Sequence, residues 1–345
     1  MNILPMSLGL RPRLAIEIRP EGVVAARSAD ASAMLAAVSR AEVSEGAVVP
    51  GLKAGNLANR GSVLAAVRSA LDAVSETSRE RSREATVVVP DASVRVLLLD
   101  FDDLPNKAAE ALPVVRFRLK KLLPFDPEAA VVSYQVMSSA KGAVRVLAVA
   151  MPKDVLAEYE GVVTAAGYQP GAVLPSTLAA LAALDESDAA MLVVNAGHSG
   201  VTTAIVQGGV LLLHRSLDMS VDGTEDQPHI DSPEFDGLDA EATMQTSVLR
   251  AAEMYGLVDA IESREIIQEV SVAAAYYEDT LQRAPDAVIS AGPLGADRLA
   301  AMMEEGGMDG LQVREMVNGA MLEAGATTAS TPRSWLAGVR GALKG

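Results

Sequence analysis

AMLVVNAGHSGVTTAIVQGGVLLLHRSL, residues 190–217, contains three short apolar runs, 190–197, 201–209 and 210–217, separated by tight glycine-bearing turns. Runs this short, rich in Val, Ile, Leu and Thr and bounded by Gly, read as strands of an antiparallel meander. The same design stands near the start of the chain as RLAIEI (13–18), GVVAARS (22–28) and MLAAVSRAEV (34–43), punctuated by Gly, Pro and Asp. A helix is predicted over 62–74, where Val63, Leu64, Val67, Leu71 and Val74 form one apolar stripe. TVVVP, residues 86–90, then reads as a strand buried on both faces. Because the three-strand opening recurs, the chain reads as two related halves.

A length of 345 residues exceeds one ordinary hydrophobic core and agrees with two lobes. Hydrophobic residues make up 50% of the chain but aromatics only 3%, so the core must be built from aliphatic side chains and 14 Met. A net charge of −16 opposes general attraction to nucleic acid or to an anionic membrane, so any such contact must be local. The absence of Cys removes disulfides, thiolate nucleophiles and cysteine zinc sites. His198, His214 and His229 lack metal-ligand spacing and read as surface or loop residues. The start has no secretory pattern and no run reaches the roughly 20 apolar residues of a membrane span. The expectation is a cytoplasmic protein, peripheral to the membrane through a partner or a surface-lying segment.

Between the halves lies an inserted unit: strand 94–101, helix 106–123, and strands 130–137 and 143–151. Its helix carries Arg116, Arg118, Lys120 and Lys121, with Leu112, Val115, Leu119 and Leu122 at core spacing. The charges fit either a solvated face or a docking face for an acidic partner. A helix over 153–166, closed by Gly167, and a strand and helix over 172–184 complete the first half. Between Arg215 and Arg250 there are nine acids and no Lys or Arg, which reads as a solvated loop. Helices 240–255 and 264–282, strand 287–292, helix 295–305 and strand 311–317 follow. After a loop at 324–332, a short terminal helix places Trp335, Leu336, Val339 and Leu343 on one side, and is expected to cap the second half.

The β-β-β-α-β order opens RNase H-like and actin-like lobes. LPNKAAEALPVVRFRLKKLLPFDPEAAVVSYQV, with Leu123, Pro124, Phe125 and Tyr134, resembles the inserted subdomain of PilM, a family of type IV pilus assembly proteins. MPKDVLAEYEGVVTAAGYQPGAVLPSTLAALAAL is similar to that family's next segment, and SVAAAYYEDTLQRAPDAVISAGPLGADRLAAMMEE, with Tyr276 and Tyr277, to its later helix and glycine turn. The likeness covers most of residues 13–345. It implies an α/β, actin-like (RNase H-like) ATPase fold of two lobes with an inserted subdomain in the first. On it the chain divides into a tail (1–12), the first lobe (13–91 and 153–187), the inserted subdomain (92–152) and the second lobe (188–345).

The resemblance further implies a scaffold that binds the N-terminal tail of a PilN-like inner-membrane protein, near the first lobe and the inserted subdomain. Strands 94–101 or 143–151 are the expected seat of that tail. Other pilus components and self-association remain open, nucleic acid is not expected, and membrane contact is expected to be indirect. Residues 1–5, Met-Asn-Ile-Leu-Pro, themselves resemble the Asn-Leu-Leu-Pro motif of the partner's tail. Either that likeness is chance in a loose terminus, or the segment occupies the groove of its own chain or a neighbour's.

Actin-like sites hold phosphates with two hairpin loops that offer Asp, hydroxyls and backbone N–H groups. The first loop of PilM resembles Asp-Ile-Ser-Ser-Thr-Ser, where this chain has Glu17, Ile18, Arg19, Pro20, Glu21 and Gly22. Pro20 has no N–H and Glu21 brings an anion to the phosphate position, leaving Arg19 either to pair with a phosphate or to pair with Glu17 or Glu21. The second loop keeps Gly197 and Thr202 but has neutral Asn195 for the metal-facing Asp, and the adenosine-side turn 290–295, which contains Gly292 and Gly295, keeps one glycine of a usual Gly-Gly pair. The candidate nucleotide residues are therefore Glu17, Arg19, Asn195, Gly197, Thr202, Gly292 and Gly295, with no catalytic or metal-ligating residue assigned. They leave room for ATP, with Mg²⁺ only as its companion, and argue against hydrolysis. The alternative is an active, ATP-hydrolysing filament protein similar to FtsA or MreB.

Overall fold

Strand β1 (Leu14–Arg19) is buried along its whole length. Alternation divides it: Leu14, Ile16 and Ile18 face one side of the sheet, while Ala15 and Glu17 face the other. The computed structural model that shows this describes residues 11–75, 82–140, 142–185, 187–219, 262–308, 310–326 and 331–344. The tail 1–10, His229, the expected helix 240–255 and all but the start of the acid-rich stretch lie outside the described residues.

Around β1 the first sheet has the order β3-β2-β1-β4-β8, formed by β2 (Gly22–Ser28), β3 (Leu35–Ala41), β4 (Glu84–Val89) and β8 (Gln169–Pro175). The meander strands pair antiparallel and β4 and β8 join in parallel. The second sheet repeats that order as β11-β10-β9-β12-β13, from β9 (Met191–Gly197), β10 (Gly200–Gln207), β11 (Val210–Asp218), β12 (Ala287–Ser290) and β13 (Gln312–Glu315). The two halves read in the sequence are thus two sheets of one topology.

Helices α1 (Arg60–Ser75) and α3 (Lys153–Ala165) cover the Ile16 face of the first sheet. Buried among them, the Tyr159 hydroxyl meets Ser93 Oγ at 3.1 Å and Asn56 Oδ1 at 3.3 Å, and burial pushes its pKa up. On the opposite face, α4 (Ser176–Ala182) and α7 (Ala337–Leu343) form a layer shared with the second sheet. One continuous core joins Leu178, Val339 and Trp335 to Val193, Ala204 and Leu211. The outer face of the second sheet is covered by α5 (residues 262–281) and α6 (Ala296–Glu305) through Ile266, Val270, Tyr277, Leu299 and Met303.

The terminal helix therefore does not cap the second lobe: α7 lies on β1, β2, β4 and α4. Its glycines make this approach feasible. A Cβ on Gly341 would stand 1.7 Å from the Ala179 carbonyl oxygen, and one on Gly338 would stand 2.5 Å from Glu17 Oε2. All seven residues are buried, Arg340 included, which donates to the Ala183 carbonyl at 2.8 Å. The expected one-sided amphipathic pattern gives way to a helix enclosed all round.

The inserted strands β5 (Arg95–Phe101), β6 (Ala130–Ala140) and β7 (Ala143–Pro152) form a sheet of order β5-β7-β6. Helix α2 (Ala108–Leu119) covers one face through Ala111, Val115 and Leu119. The expected core stripe on α2 is corrected at Leu122, which lies beyond the helix and is 50% exposed, while Ala111 takes a buried place.

Candidate functional site

Pro20 and Glu21 make the two-residue turn between β1 and β2, where Arg19 pairs with Gly22. Gly22 is required there: its φ is +146°, and a Cβ would lie 2.9 Å from the Ala41 carbonyl oxygen. His198 and Ser199 make the equivalent turn between β9 and β10, with Gly197 paired to Gly200. These two hairpin tips meet. The Glu21 carboxylate accepts the His198 backbone N–H at 2.8 Å, and a Cβ on Gly197 would stand 2.5 Å from the same oxygen.

Behind the tips a polar network crosses between the lobes. Arg19 Nη2 pairs with Glu17 Oε1 at 2.6 Å and donates to Ser176 Oγ at 2.7 Å and Asn195 Oδ1 at 3.3 Å. Asn195 Nδ2 donates to Ser176 Oγ and Thr177 Oγ1, both at 2.9 Å, with Asp91 Oδ2 at 3.4 Å. Asp91 in turn accepts the Thr177 backbone N–H at 3.1 Å, holding the first turn of α4. The amide at 195 is thereby explained: the position needs an acceptor toward Arg19 and a donor toward Thr177 and Ser176, which a carboxylate could not supply.

Glu17 lies on the α4/α7 side of β1, is fully buried, and takes the Ser176 hydroxyl at 2.7 Å. Desolvation pushes its pKa up, against the pull of Arg19, and its Oε2 has no hydrogen-bond partner among the described residues. Arg19 is buried as well, and of the two pairings open to it the structure shows the one with Glu17. The Thr202 hydroxyl donates to Ser216 Oγ at 2.9 Å, and both residues line the space between the tips. Gly292 is a packing glycine, since a Cβ would meet the Ala196 backbone at 2.3 Å. Gly295, at φ +80°, leads into α6, whose first N–H is taken by Glu315 Oε1 at 2.8 Å.

The structure thus gathers Glu17, Arg19 and Asn195 in one network, sets Gly197 against Glu21, and leaves Thr202, Gly292 and Gly295 in supporting places. Sequence reasoning missed Asp91, Ser176 and Thr177. Asp91 directly follows Pro90, and Ser176 and Thr177 are the two residues after Pro175; these prolines stand at strand ends, and that placement was the available signal. The space left between the tips is about 30 Å³, room for one or two waters, whereas pockets for small ligands run to ~300–1,000 Å³.

His214 also differs from expectation. It sits within β11 rather than in a surface loop, its Nε2 is buried without a partner among the described residues, and burial lowers its pKa.

A second concavity opens between the first sheet and the inserted one, with a volume of about 310 Å³. Val131 and Ser133 of β6, Val149 of β7, Leu156 of α3, and Ala172 and Val173 of β8 line it. Both flanking strands, β6 and β8, are edges of their sheets. The expected seat on residues 143–151 is corrected here: β7 is the central strand, hydrogen-bonded on both sides, and contributes side chains but no free edge. The α2 helix covers the other face of this sheet, because the residues of β6 alternate.

No family model matches the chain, and no curated protein matches it in sequence. Among solved structures it is similar to a chain of the PilM-PilN type IV pilus biogenesis complex, at 17% identity and a TM-score of 0.66, over 96% of this chain and 97% of that one. It also aligns with a Bacteroides thetaiotaomicron protein of actin-like ATPase fold (10% identity, 88% and 89% coverage, TM-score 0.46) and with EutJ of Carboxydothermus hydrogenoformans (10%, 97% and 90%, 0.45). The likeness to the pilus complex is one of fold, and the chain has an actin-like fold of two lobes with an inserted three-stranded subdomain.

Proposed function

We propose that this chain is a cytoplasmic scaffold of a type IV pilus assembly machine. On this reading it holds the extended N-terminal tail of a PilN-like inner-membrane protein in the groove between β6 and β8, and its nucleotide cleft is degenerate. The observation that carries the reading is the apolar groove flanked by β6 and β8, the edge strands of their sheets among the described residues, on a fold shared end to end with a chain of the PilM-PilN complex. A peptide laid there gains main-chain hydrogen bonds from a strand edge and side-chain pockets from Leu156, Val149 and Ala172. The partner then brings the chain to the membrane; no helix among the described residues is long and apolar enough to cross one.

The degenerate cleft rests on the residues, which do not fit ATP. Pro20 offers no N–H, the Glu21 carboxylate already holds the His198 N–H that a phosphate would need, and Arg19 is tied to Glu17. Calorimetric titration with a synthetic tail peptide of the PilN-like protein tests the first part. Binding that is lost in Val131→Arg supports the groove, and absence of heat overturns it. Phosphate release with Mg²⁺ and ATP tests the second: turnover near the ~10 s⁻¹ typical of enzymes restores the alternative of an active filament ATPase.

A further inference from the structure

Helix α2 buries Ala111, Val115 and Leu119 and turns Phe117, about 200° round from Val115, straight outward. Phe117 is 69% exposed and Val114 38% exposed. Basic side chains surround this apolar face. Lys107 pairs with Glu110 at 3.3 Å and Arg116 with Glu128 at 3.6 Å, and Asp126 caps the Glu128 N–H at 3.0 Å. Arg118, Lys120 and Lys121 are exposed and make no ion pair among the described residues, and Lys121 stands 5.8 Å from the Phe117 ring.

We propose that the C-terminal end of α2 is a contact site for an anionic lipid surface, with Phe117 and Val114 entering the headgroup boundary and Arg118, Lys120 and Lys121 pairing with lipid phosphates and carboxylates. Two observations select this occupant. Phe117 stands exposed among Arg118, Lys120 and Lys121, the pairing of apolar and basic side chains that interfacial helices carry. This face is complementary in charge to an anionic bilayer, while the protein as a whole, at −16, is repelled by one. That contrast fixes orientation as well as binding, since rotation of the molecule away from α2 brings net negative surface to the lipid. The inference goes beyond the groove reading and does not depend on it: groove and α2 lie on opposite faces of one three-stranded sheet.

The test is co-sedimentation of the full chain with vesicles of phosphatidylcholine alone and with about 30% phosphatidylserine, at about 50 mM salt. Binding to the anionic vesicles is expected to exceed binding to the zwitterionic ones at least tenfold and to fall at about 500 mM salt. Phe117→Glu, and Lys120→Glu with Lys121→Glu, are each expected to reduce it at least tenfold. All three positions are exposed, so an unchanged thermal transition verifies folding. Equal binding to both vesicle types, no binding, or full binding by both variants overturns the proposal. So does a result in which the variants alter only self-association or only capture of an acidic protein. Titration of the tail peptide is expected to be unchanged in the variants, which keeps failure of the groove distinguishable.

Discussion

Replacing Arg19 by Met removes one half of an ion pair that is buried on both sides. Glu17 would keep only the Ser176 hydroxyl, because its second oxygen has no partner among the described residues. Orphaning a buried charge in this way costs about 3–5 kcal/mol, a large share of the ~5–15 kcal/mol that holds a native protein. At about 2–4 °C per kcal/mol, the melting temperature falls by roughly 6–20 °C. The assay is urea unfolding followed through Trp335, the one tryptophan of the chain, which sits in the core that joins both lobes. A pH arm isolates the charge. The pKa of Glu17 is already raised by burial, and losing Arg19 raises it further. For a carboxyl raised in the folded state, the stabilising protonated form is present below the ordinary carboxylate value and is lost as pH rises through the folded value. The deficit of the variant should therefore be smallest in acid and grow toward neutral pH, and Glu17→Leu with Arg19→Met should recover most of it. A loss below about 1 kcal/mol, or one that does not change with pH, refutes the argument that this pair is buried and mutually dependent.

Gly341→Val drives a side chain into the Ala179 carbonyl and should cost about 3 kcal/mol or more, read as early loss of Trp335 fluorescence in a urea series. His214→Gln should make stability less sensitive to acid: the imidazole pKa is lowered by burial, so the native protein loses stability as pH falls through the ordinary histidine range, and the variant should lose less in paired thermal scans. Deleting residues 1–5 should tighten binding of the partner peptide several-fold in calorimetry if those residues compete for the groove, beside which Pro12 lies against Gly171. Unchanged affinity and oligomer size would make those residues an idle terminus.

Strand pattern carried most of the fold. The repeated meander was legible because each strand is short, apolar and ended by glycine or a turn, and the twin sheet orders follow from it. What pattern could not supply was which strands are neighbours, so β7 read as available when it is the central strand of its sheet. The terminal helix was misplaced for a related reason: its one-sided apolar pattern said nothing of Gly338 and Gly341, which are the points where α7 touches Glu17 and the α4 backbone. At the cleft, Glu17, Arg19 and Asn195 were found by their place in hairpin loops. Asp91, Ser176 and Thr177 come from elsewhere in the chain and converge only through folding.

The return of α7 to the first sheet has a consequence for synthesis. Residues 191–315 supply the whole of the second sheet, so that lobe's strands are available as one contiguous stretch of nascent chain. The first sheet is complete in strands once β8 has emerged, yet the layer over Ala15, Glu17 and Val24 waits for residues 337–343. From Pro175 to Ala337 is 337 − 175 = 162 residues, about 8–32 s of translation at ~5–20 residues per second. During that interval one apolar face of the earlier-made lobe stands open on the ribosome. The lobe made first is the lobe finished last, and premature release of the chain would strand it with its core exposed.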